Sequence, residues 1–221
     1  MLFNPGTLRL FLVGIQETFY MVAVSSVVSY LFGIPLGIFL VVSDQDGIHP
    51  VPLLQKLLGI IINLLRSVPF LILLIMVIPL TRLIVGTSLG AKAVVVPLVI
   101  SAAPYVARVV ESSIREVDAG VVEAAKSMGA SPMQIIMKVY LPEAKPSLLI
   151  GAALSVTTIL GYSAMSGAVG GGGLGDIAIK YGYNRYQTDM MLASVVILVI
   201  IVQIIQEIGM WLSRSGDKRI R

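Results

Sequence analysis

Long apolar stretches separated by short polar segments constrain this chain more than any other feature of its sequence. Hydrophobic residues make up 57% of its 221 residues, and charged residues only 13%. About 20 consecutive apolar residues suffice for a helix to cross roughly 30 Å of hydrocarbon, where irregular backbone would leave its hydrogen-bonding groups unsatisfied. The sequence therefore predicts an all-α integral membrane protein, a single domain over residues 1–221 with about five membrane-spanning helices. The predicted spans are residues 19–42, 57–80, 93–110, 147–165 and 190–212.

The polar residues exclude several classes of function. The net charge is +4, but Lys and Arg cluster beside the apolar stretches, where membrane topology explains them better than nucleic-acid binding does. The chain has no cysteine and a single histidine, His49, so we expect neither a catalytic thiolate nor a metal site. The phosphate-binding sequence G-x-x-x-x-G-K-[ST] is absent, and the acids Glu17 and Glu207 are solitary and lie near span ends. We therefore expect no catalytic residue and no cofactor in this chain, which is not an enzyme and takes its energy from elsewhere.

The distribution of Lys and Arg predicts the orientation of the chain. Five spans place the two termini on opposite sides of the membrane. The polar segments on one side carry ten Lys and Arg residues and those on the other side carry five, so the first side is predicted to be cytoplasmic. The N-terminus is then outside and the C-terminus inside. The cytoplasmic segments are 43–56, 108–146 and 213–221, and the external segments are 1–18, 81–92 and 166–189.

The most polar stretch, residues 108–146, is predicted to be a water-side loop containing two short helices. Gly129 stands where the first helix needs a residue that tolerates positive φ, and Ser131 with Gln134 forms a capping box for the second helix, with Pro132 at its first position. Pro142 is predicted to bend or end that second helix. This local pattern fits a docking elbow, but by itself it fits an ordinary connecting loop equally well. Apolar residues at helical spacing form a stripe on the first helix: Val117, Val121, Val122, Ala125 and Met128.

Within this stretch, Glu123-Ala124-Ala125, Gly129 and Leu141-Pro142 resemble the EAA signature, EAA-x3-G-x9-I-x-LP, of ABC importer permeases. Val139 stands where the signature has isoleucine, which keeps a branched apolar side chain. In that family the coupling loop, here residues 111–146, inserts into a cleft on a separate ATP-hydrolysing subunit. The resemblance implies that eight residues couple this chain to that subunit: Glu123, Ala124, Ala125, Gly129, Ser131, Pro132, Leu141 and Pro142.

Further resemblance lies in residues 66–70 and 81–88, which are similar to the methionine-uptake branch of these permeases. It implies a homodimer in the bacterial plasma membrane, joined to two ATPase subunits that bind ATP and Mg²⁺ and served by an extracellular or periplasmic substrate-binding protein. The permease would move its substrate inward by alternating access. The alternatives that remain are a permease for another amino acid or small polar solute, and a gradient-driven secondary transporter. A structural membrane scaffold is also an alternative, but it would leave the resemblance to the EAA signature unexplained.

Three residues are candidates for the transport pathway or its gate. Arg66 interrupts an apolar stretch, so it either extends to the nearer interface or lines a water-filled cavity. Ser163 and Met165 lie at the outer end of the fourth span, which is rich in small and hydroxyl-bearing residues that permit close helix packing. The glycine-rich residues 166–189 that follow are predicted to be an external connection in which backbone segments pack closely.

Overall fold

The computed structural model describes residues 4–216, and within that range the secondary structure is helical without any strand. The basic residues Lys218, Arg219 and Arg221, which contribute to the predicted orientation, lie outside the described residues. Short 3-10 and π-helical segments at Gly167–Val169, Ile136–Tyr140 and Ala178–Tyr183 adjoin the α-helices. The α-helices are α1 (Pro5–Val42), α2 (Pro52–Ser67), α3 (Phe70–Met76), α4 (Ile78–Val85), α5 (Ala91–Arg115), α6 (Ala119–Ser127), α7 (Pro132–Ile135), α8 (Leu141–Glu143), α9 (Lys145–Ser166), α10 (Gly173–Ile177) and α11 (Thr188–Gly216).

Four of these helices are long and apolar enough to span a membrane, namely α1, α5, α9 and α11. A fifth span is obtained if α2 and α3 are counted together as one bent span. The predicted all-α membrane fold with about five spans is therefore confirmed.

Helix α1 begins well before the start predicted for the first span at residue 19. Asn4 accepts a hydrogen bond from the backbone N–H of Gly6 at 3.2 Å, and Pro5 occupies the first helical position. Both residues are typical of helix N-termini. The resulting 38-residue helix is about 57 Å long, which exceeds the thickness of the hydrocarbon layer.

The predicted second span, residues 57–80, is not one continuous helix. Helix α2 ends at Ser67, and α3 continues at an angle of 100° to it. Pro69 explains the break, because a proline disfavours helical backbone in the residue before it, here Val68. A second interruption at Val77 separates α3 from α4.

The chain divides into two compact units, which we call the first and second units. The first unit comprises Met1–Val28, Val68–Ala102 and Val156–Gln206. Its core contains Leu98 and Ile159 at zero exposure, and the rings of Phe70 and Tyr162 stack with centroids 4.6 Å apart.

The second unit comprises Ser29–Ser67, Ala103–Ser155 and Glu207–Arg221. Its core is formed by one face of α5 together with apolar residues from the polar stretch that follows that helix. This packing anchors the predicted coupling loop on a buried helix. The buried core residues are Val41, Val106, Val110, Ile114, Val122, Ala125, Ile135, Tyr140 and Ala144.

Candidate functional site

The elbow, residues 118–143, has the two-helix form predicted from the sequence. Asp118 caps α6 by accepting a hydrogen bond from the N–H of Gly120 at 2.7 Å. Ser131 and Gln134 form the predicted capping box at the start of α7, with distances of 3.4 Å to the Ser131 hydroxyl and 2.8 Å to the Gln134 side-chain oxygen. Pro132 is at the first position of α7. The capping side chains therefore determine where each elbow helix begins.

Gly129 forms the bend between the two elbow helices. Its φ is +76°, and its N–H donates to the carbonyl of Lys126 at 2.9 Å, while the N–H of Ala130 donates to the carbonyl of Ala125 at 3.1 Å. This pair of hydrogen bonds is a Schellman motif, in which glycine is the favoured residue because it adopts positive φ without steric cost. A Cβ atom at Gly129 would meet nothing within 4 Å, so its backbone conformation alone restricts this position.

The second helical run of the elbow continues further than the sequence indicates. The helical backbone extends through Pro142 to Glu143 and is interrupted only at Ala144. The turn before the proline is π-helical, with the N–H of Leu141 donating to the carbonyl of Ile136. Because a helical proline lacks an N–H and crowds the carbonyl four residues earlier, the wider π turn accommodates it.

The predicted apolar stripe on the first elbow helix divides between two faces. Val122 and Ala125 are buried in the core of the second unit, as are Ile135 and Tyr140 from the second helical run. Burial raises the pKa of the Tyr140 hydroxyl. Val117 is half-buried against the same core. The apolar side chains on the exposed face of the elbow are Val121, Met128, Met133 and Met137, the last three exposed by 81%, 65% and 57%.

The eight predicted coupling residues occupy different environments on this elbow. Ala125 is buried in the core of the second unit, and Leu141 is half-buried. The other six are exposed: Glu123, Ala124, Gly129, Ser131, Pro132 and Pro142.

Residues 108–115 continue helix α5 instead of forming part of a loop, which corrects the predicted start of the polar loop at residue 108. They carry an ion-pair network that the sequence interpretation missed. The carboxylate of Glu111, whose side chain is 9% exposed, accepts from Arg108 at 2.6 Å and from Arg115 at 3.0 Å. Arg115 also pairs with Asp44 at 2.6 Å. Glu111 lies three residues after Arg108 and four before Arg115, and such spacings on a helix predict ion pairs. The pair of Arg115 with Asp44 could not be predicted in this way, because the two residues are 71 positions apart.

The network extends from α5 to α2 through Arg108. Its guanidinium donates to the carbonyl of Gly59 at 3.1 Å and to the side-chain oxygen of Asn63 at 2.9 Å. At the other end, the hydrogen bond from Arg115 lowers the pKa of Asp44, and the N–H of Gln45 contributes in the same direction. Asp44 is therefore a carboxylate at neutral pH.

The three pathway candidates have the following positions. Arg66 is exposed in the last turn of α2, with its guanidinium carbon 6.0 Å from the centre of the Tyr105 ring. Ser163 is buried in α9 and donates to the carbonyl of Leu160 at 2.8 Å. Met165, on the same helix, is 46% exposed. These positions do not assign a role to any of the three residues, and the roles stay predictions.

Glu17, interpreted from the sequence as a solitary acid, has a structural partner. Its carboxylate accepts a hydrogen bond from the N–H of Gly173 at 2.7 Å, and the hydroxyl of Thr18 accepts from the N–H of Leu174 at 2.9 Å. Two adjacent residues of α1 therefore cap the short helix α10 in the glycine-rich connection. The partners are 156 residues apart, so no local pattern could reveal them.

Within the residues that the structure describes, no group of three or more His, Cys, Asp or Glu side chains is arranged to hold a metal ion. The elbow offers hydrogen-bonding groups and exposed apolar side chains.

Comparison with known proteins places this architecture in a family. Residues 11–221 match the family of binding-protein-dependent transport system inner membrane components. The probable D-methionine transport system permease protein MetI of Vibrio cholerae is 50% identical over 210 residues, covering 95% of this chain and 93% of that protein. The protein of the same name from Pasteurella multocida is 43% identical, covering 94% and 97%.

Solved structures agree with the sequence matches. A structure of the inward-facing MetNI methionine ABC transporter contains a chain that is 43% identical and superposes with a TM-score of 0.95, covering 97% of this chain and all of that one. An amino acid ABC transporter with 22% identity and a TM-score of 0.74 shares the fold. The chain therefore belongs to the family of binding-protein-dependent transport system inner membrane components, located in the inner membrane.

Proposed function

We propose that this chain is the membrane-spanning permease subunit of an ATP-driven ABC importer for methionine. The observation that carries the proposal is the elbow, where a positive-φ glycine and a complete capping box hold the EAA sequence at the end of a buried membrane-spanning helix. The elbow is a built structure that presents an exposed face, as expected of a surface that binds a partner.

The substrate is proposed from the relatives. Two proteins that match nearly the whole chain, at 50% and 43% identity, are named probable D-methionine transport system permease proteins. The superposed structure is that of a methionine ABC transporter. No described residue is assigned to substrate recognition. D- and L-methionine are therefore the proposed substrates, and other amino acids and small polar solutes are the competitors to be tested.

The elbow is the proposed connection to a separate ATPase subunit, which binds and hydrolyses ATP with Mg²⁺. Its exposed methionines suit this role, because the flexible and polarisable Met side chain fills irregular apolar pockets. Glu123, Ala124 and Pro132 are the proposed contact residues on the exposed face, and Gly129 and Ser131 maintain its shape.

The proposed assembly contains two copies of this chain, two ATPase subunits and a substrate-binding protein on the outer side. ATP binding closes the ATPase pair and brings the two elbows together. The spanning helices then move largely as rigid bodies, which opens the substrate route alternately to the two sides of the membrane. The elbows and the C-terminus face the cytoplasm and the N-terminus faces outwards, in agreement with the excess of Lys and Arg on the elbow side.

The test is uptake of labelled methionine into vesicles that contain this chain with its ATPase and binding protein. We expect uptake to require internal ATP, to survive an ionophore that collapses ion gradients, and to be displaced by unlabelled methionine. Separate competition by the D and L forms defines stereochemical preference. ATP-dependent uptake of a different solute would overturn the substrate assignment, and ATP-independent uptake by an intact complex would overturn the importer mechanism.

A further inference from the structure

The ion-pair network beside the elbow joins three separate segments of the second unit. Arg108, Glu111 and Arg115 lie on the last two turns of α5, Gly59 and Asn63 on α2, and Asp44 in the turn that follows α1. The bonded distances run from 2.6 to 3.2 Å. A connected path of charge-assisted hydrogen bonds therefore links the end of α5 to the middle of α2 and to the turn that follows α1.

The hydrogen bonds of the network fix the orientation of the Arg115 side chain. Arg115 directs two nitrogens, Nε at 3.2 Å and Nη2 at 3.0 Å, at the same oxygen of Glu111, while Nη2 also reaches Asp44. A planar guanidinium fork fixes orientation in a way that the single ammonium of lysine does not. Glu111 is the buried centre, because its two oxygens are divided between two arginines and its side chain is only 9% exposed. Well-placed partners of this kind offset the cost of removing a carboxylate from water.

The position of the network relative to the elbow indicates its role. Arg115 is the last residue of α5, and only residues 116–118 separate it from the first residue of α6. The N–H of Val117 donates to the carbonyl of Ile114 at 3.1 Å, so this junction is a tight turn and not a flexible linker. Only three residues therefore separate α6 from Arg115, so a displacement of α6 is transmitted directly to the network.

We infer that Asp44, Glu111, Arg108 and Arg115 are positioning residues for energy coupling, which hold the end of α5 to α2 and to the turn after α1. With the network intact, displacement of the elbow moves these segments together. Without it, the end of α5 yields locally and the spanning helices do not follow. The inference rests on the proposed function, since it requires an ATPase that displaces the elbow.

The ion pair between Asp44 and Arg115 contributes little to the stability of the fold. The side chains of Asp44 and Arg115 are 31% and 46% exposed, and pairs this exposed contribute little to the free energy of folding. Loss of this pair should therefore leave folding and membrane insertion near wild type while changing how efficiently ATP hydrolysis drives transport.

The experiment measures ATP hydrolysed per methionine transported, in vesicles containing the complete importer with the Asp44→Asn, Arg115→Gln or Arg115→Lys variant. Neutralisation at either position is expected to raise this ratio about threefold or more, in the range by which coupling residues act. Arg115→Lys, which keeps the charge without the fork, should give an intermediate ratio. The double variant of Asp44→Asn and Arg115→Gln should be no worse than the more severe single variant, because each single change already removes the Asp44–Arg115 pair.

Asp46→Asn is the matched control, since it removes an exposed carboxylate two residues from Asp44 that has no ion pair among those formed by residues 4–216. Its ratio should equal that of the wild type. Wild-type ratios in both Asp44→Asn and Arg115→Gln would overturn the inference, as would equal losses of transport, ATP hydrolysis and thermal stability. If Arg115→Gln folds poorly, Asp44→Asn alone decides. Absence of ATP-dependent uptake in the wild-type importer would refute the proposed function itself, and with it this inference.

Discussion

Replacement of Gly129 tests whether the bend of the elbow is needed for coupling. The φ of +76° is one that L-residues adopt at a cost of roughly 1–2 kcal/mol, least for Asn and most for β-branched side chains. Because an added Cβ would meet nothing within 4 Å, no steric clash contributes. The substitutions Gly129→Asn, Gly129→Ala and Gly129→Val should therefore raise the free energy of the bent conformation in increasing steps.

The magnitude follows from this penalty. A change of about 1–2 kcal/mol in the free energy of the bend shifts its equilibrium by roughly 5- to 30-fold. A loosened bend lets α6 and α7 change their relative orientation, so displacement of the elbow by the ATPase is transmitted poorly. We expect ATP-driven uptake to fall in the order Gly, Asn, Ala, Val, with Gly129→Val reduced by about tenfold.

The assay is methionine uptake and ATP hydrolysis in vesicles, with the amount of inserted chain determined for every variant. Gly86→Val is the control, because Gly86 has φ +82° and an added Cβ there would likewise meet nothing within 4 Å, yet this glycine lies at the end of α4 in the first unit. It carries the same backbone penalty away from the elbow and should keep the wild-type ratio of ATP to methionine. Wild-type uptake by Gly129→Val, or equal uncoupling by Gly86→Val, would refute the reasoning.

Three further predictions concern the elbow and its supports. Ser131→Ala removes one of the two capping-box bonds, should cost roughly 0.5–1 kcal/mol, and should lower uptake less than Gly129→Val in the same vesicle assay. Met133→Glu places a charge on the exposed apolar face and should abolish copurification of the ATPase subunit, whereas Met133→Leu should retain it. The pH dependence follows from the lowered pKa of Asp44, whose stabilising contribution is present above its unfolded pKa of about 3.9 and is lost as pH falls through its folded value. The difference between Asp44→Asn and wild type should accordingly be constant between about pH 5 and 8 when the ratio of ATP to methionine is measured.

The elbow could be predicted from the sequence because its determinants are local. The capping box joins residues three positions apart, and the Schellman bonds at Gly129 join residues three and five positions apart. Cap and turn residues act over such short distances, so their types identify both helices and the bend. The long apolar helices were predicted for a similar reason, since their composition alone is sufficient.

The errors arose where the conformation depends on an element boundary or on distant residues. Pro69 was visible, but the length of apolar sequence around it favoured one span over a 100° bend. The early start of α1 was signalled by Asn4 and Pro5, which the interpretation did not use. The partner of Glu17 lies 156 residues along the chain and could be found only in three dimensions.

The shape of the elbow depends on local contacts, whereas its orientation depends on contacts between residues that are distant in the sequence. Its caps and bend are encoded within residues 118–143, so its shape is determined by neighbouring residues. Its orientation depends on the burial of Val122, Ala125 and Ile135 against α5, and on the pairing of Arg115 with a residue 71 positions away. Because a coupling element must both fit its partner and transmit displacement, correct local shape is not sufficient. Substitutions in the caps should therefore weaken binding of the ATPase subunit, whereas substitutions in the network should leave that binding intact and reduce the work obtained from each ATP.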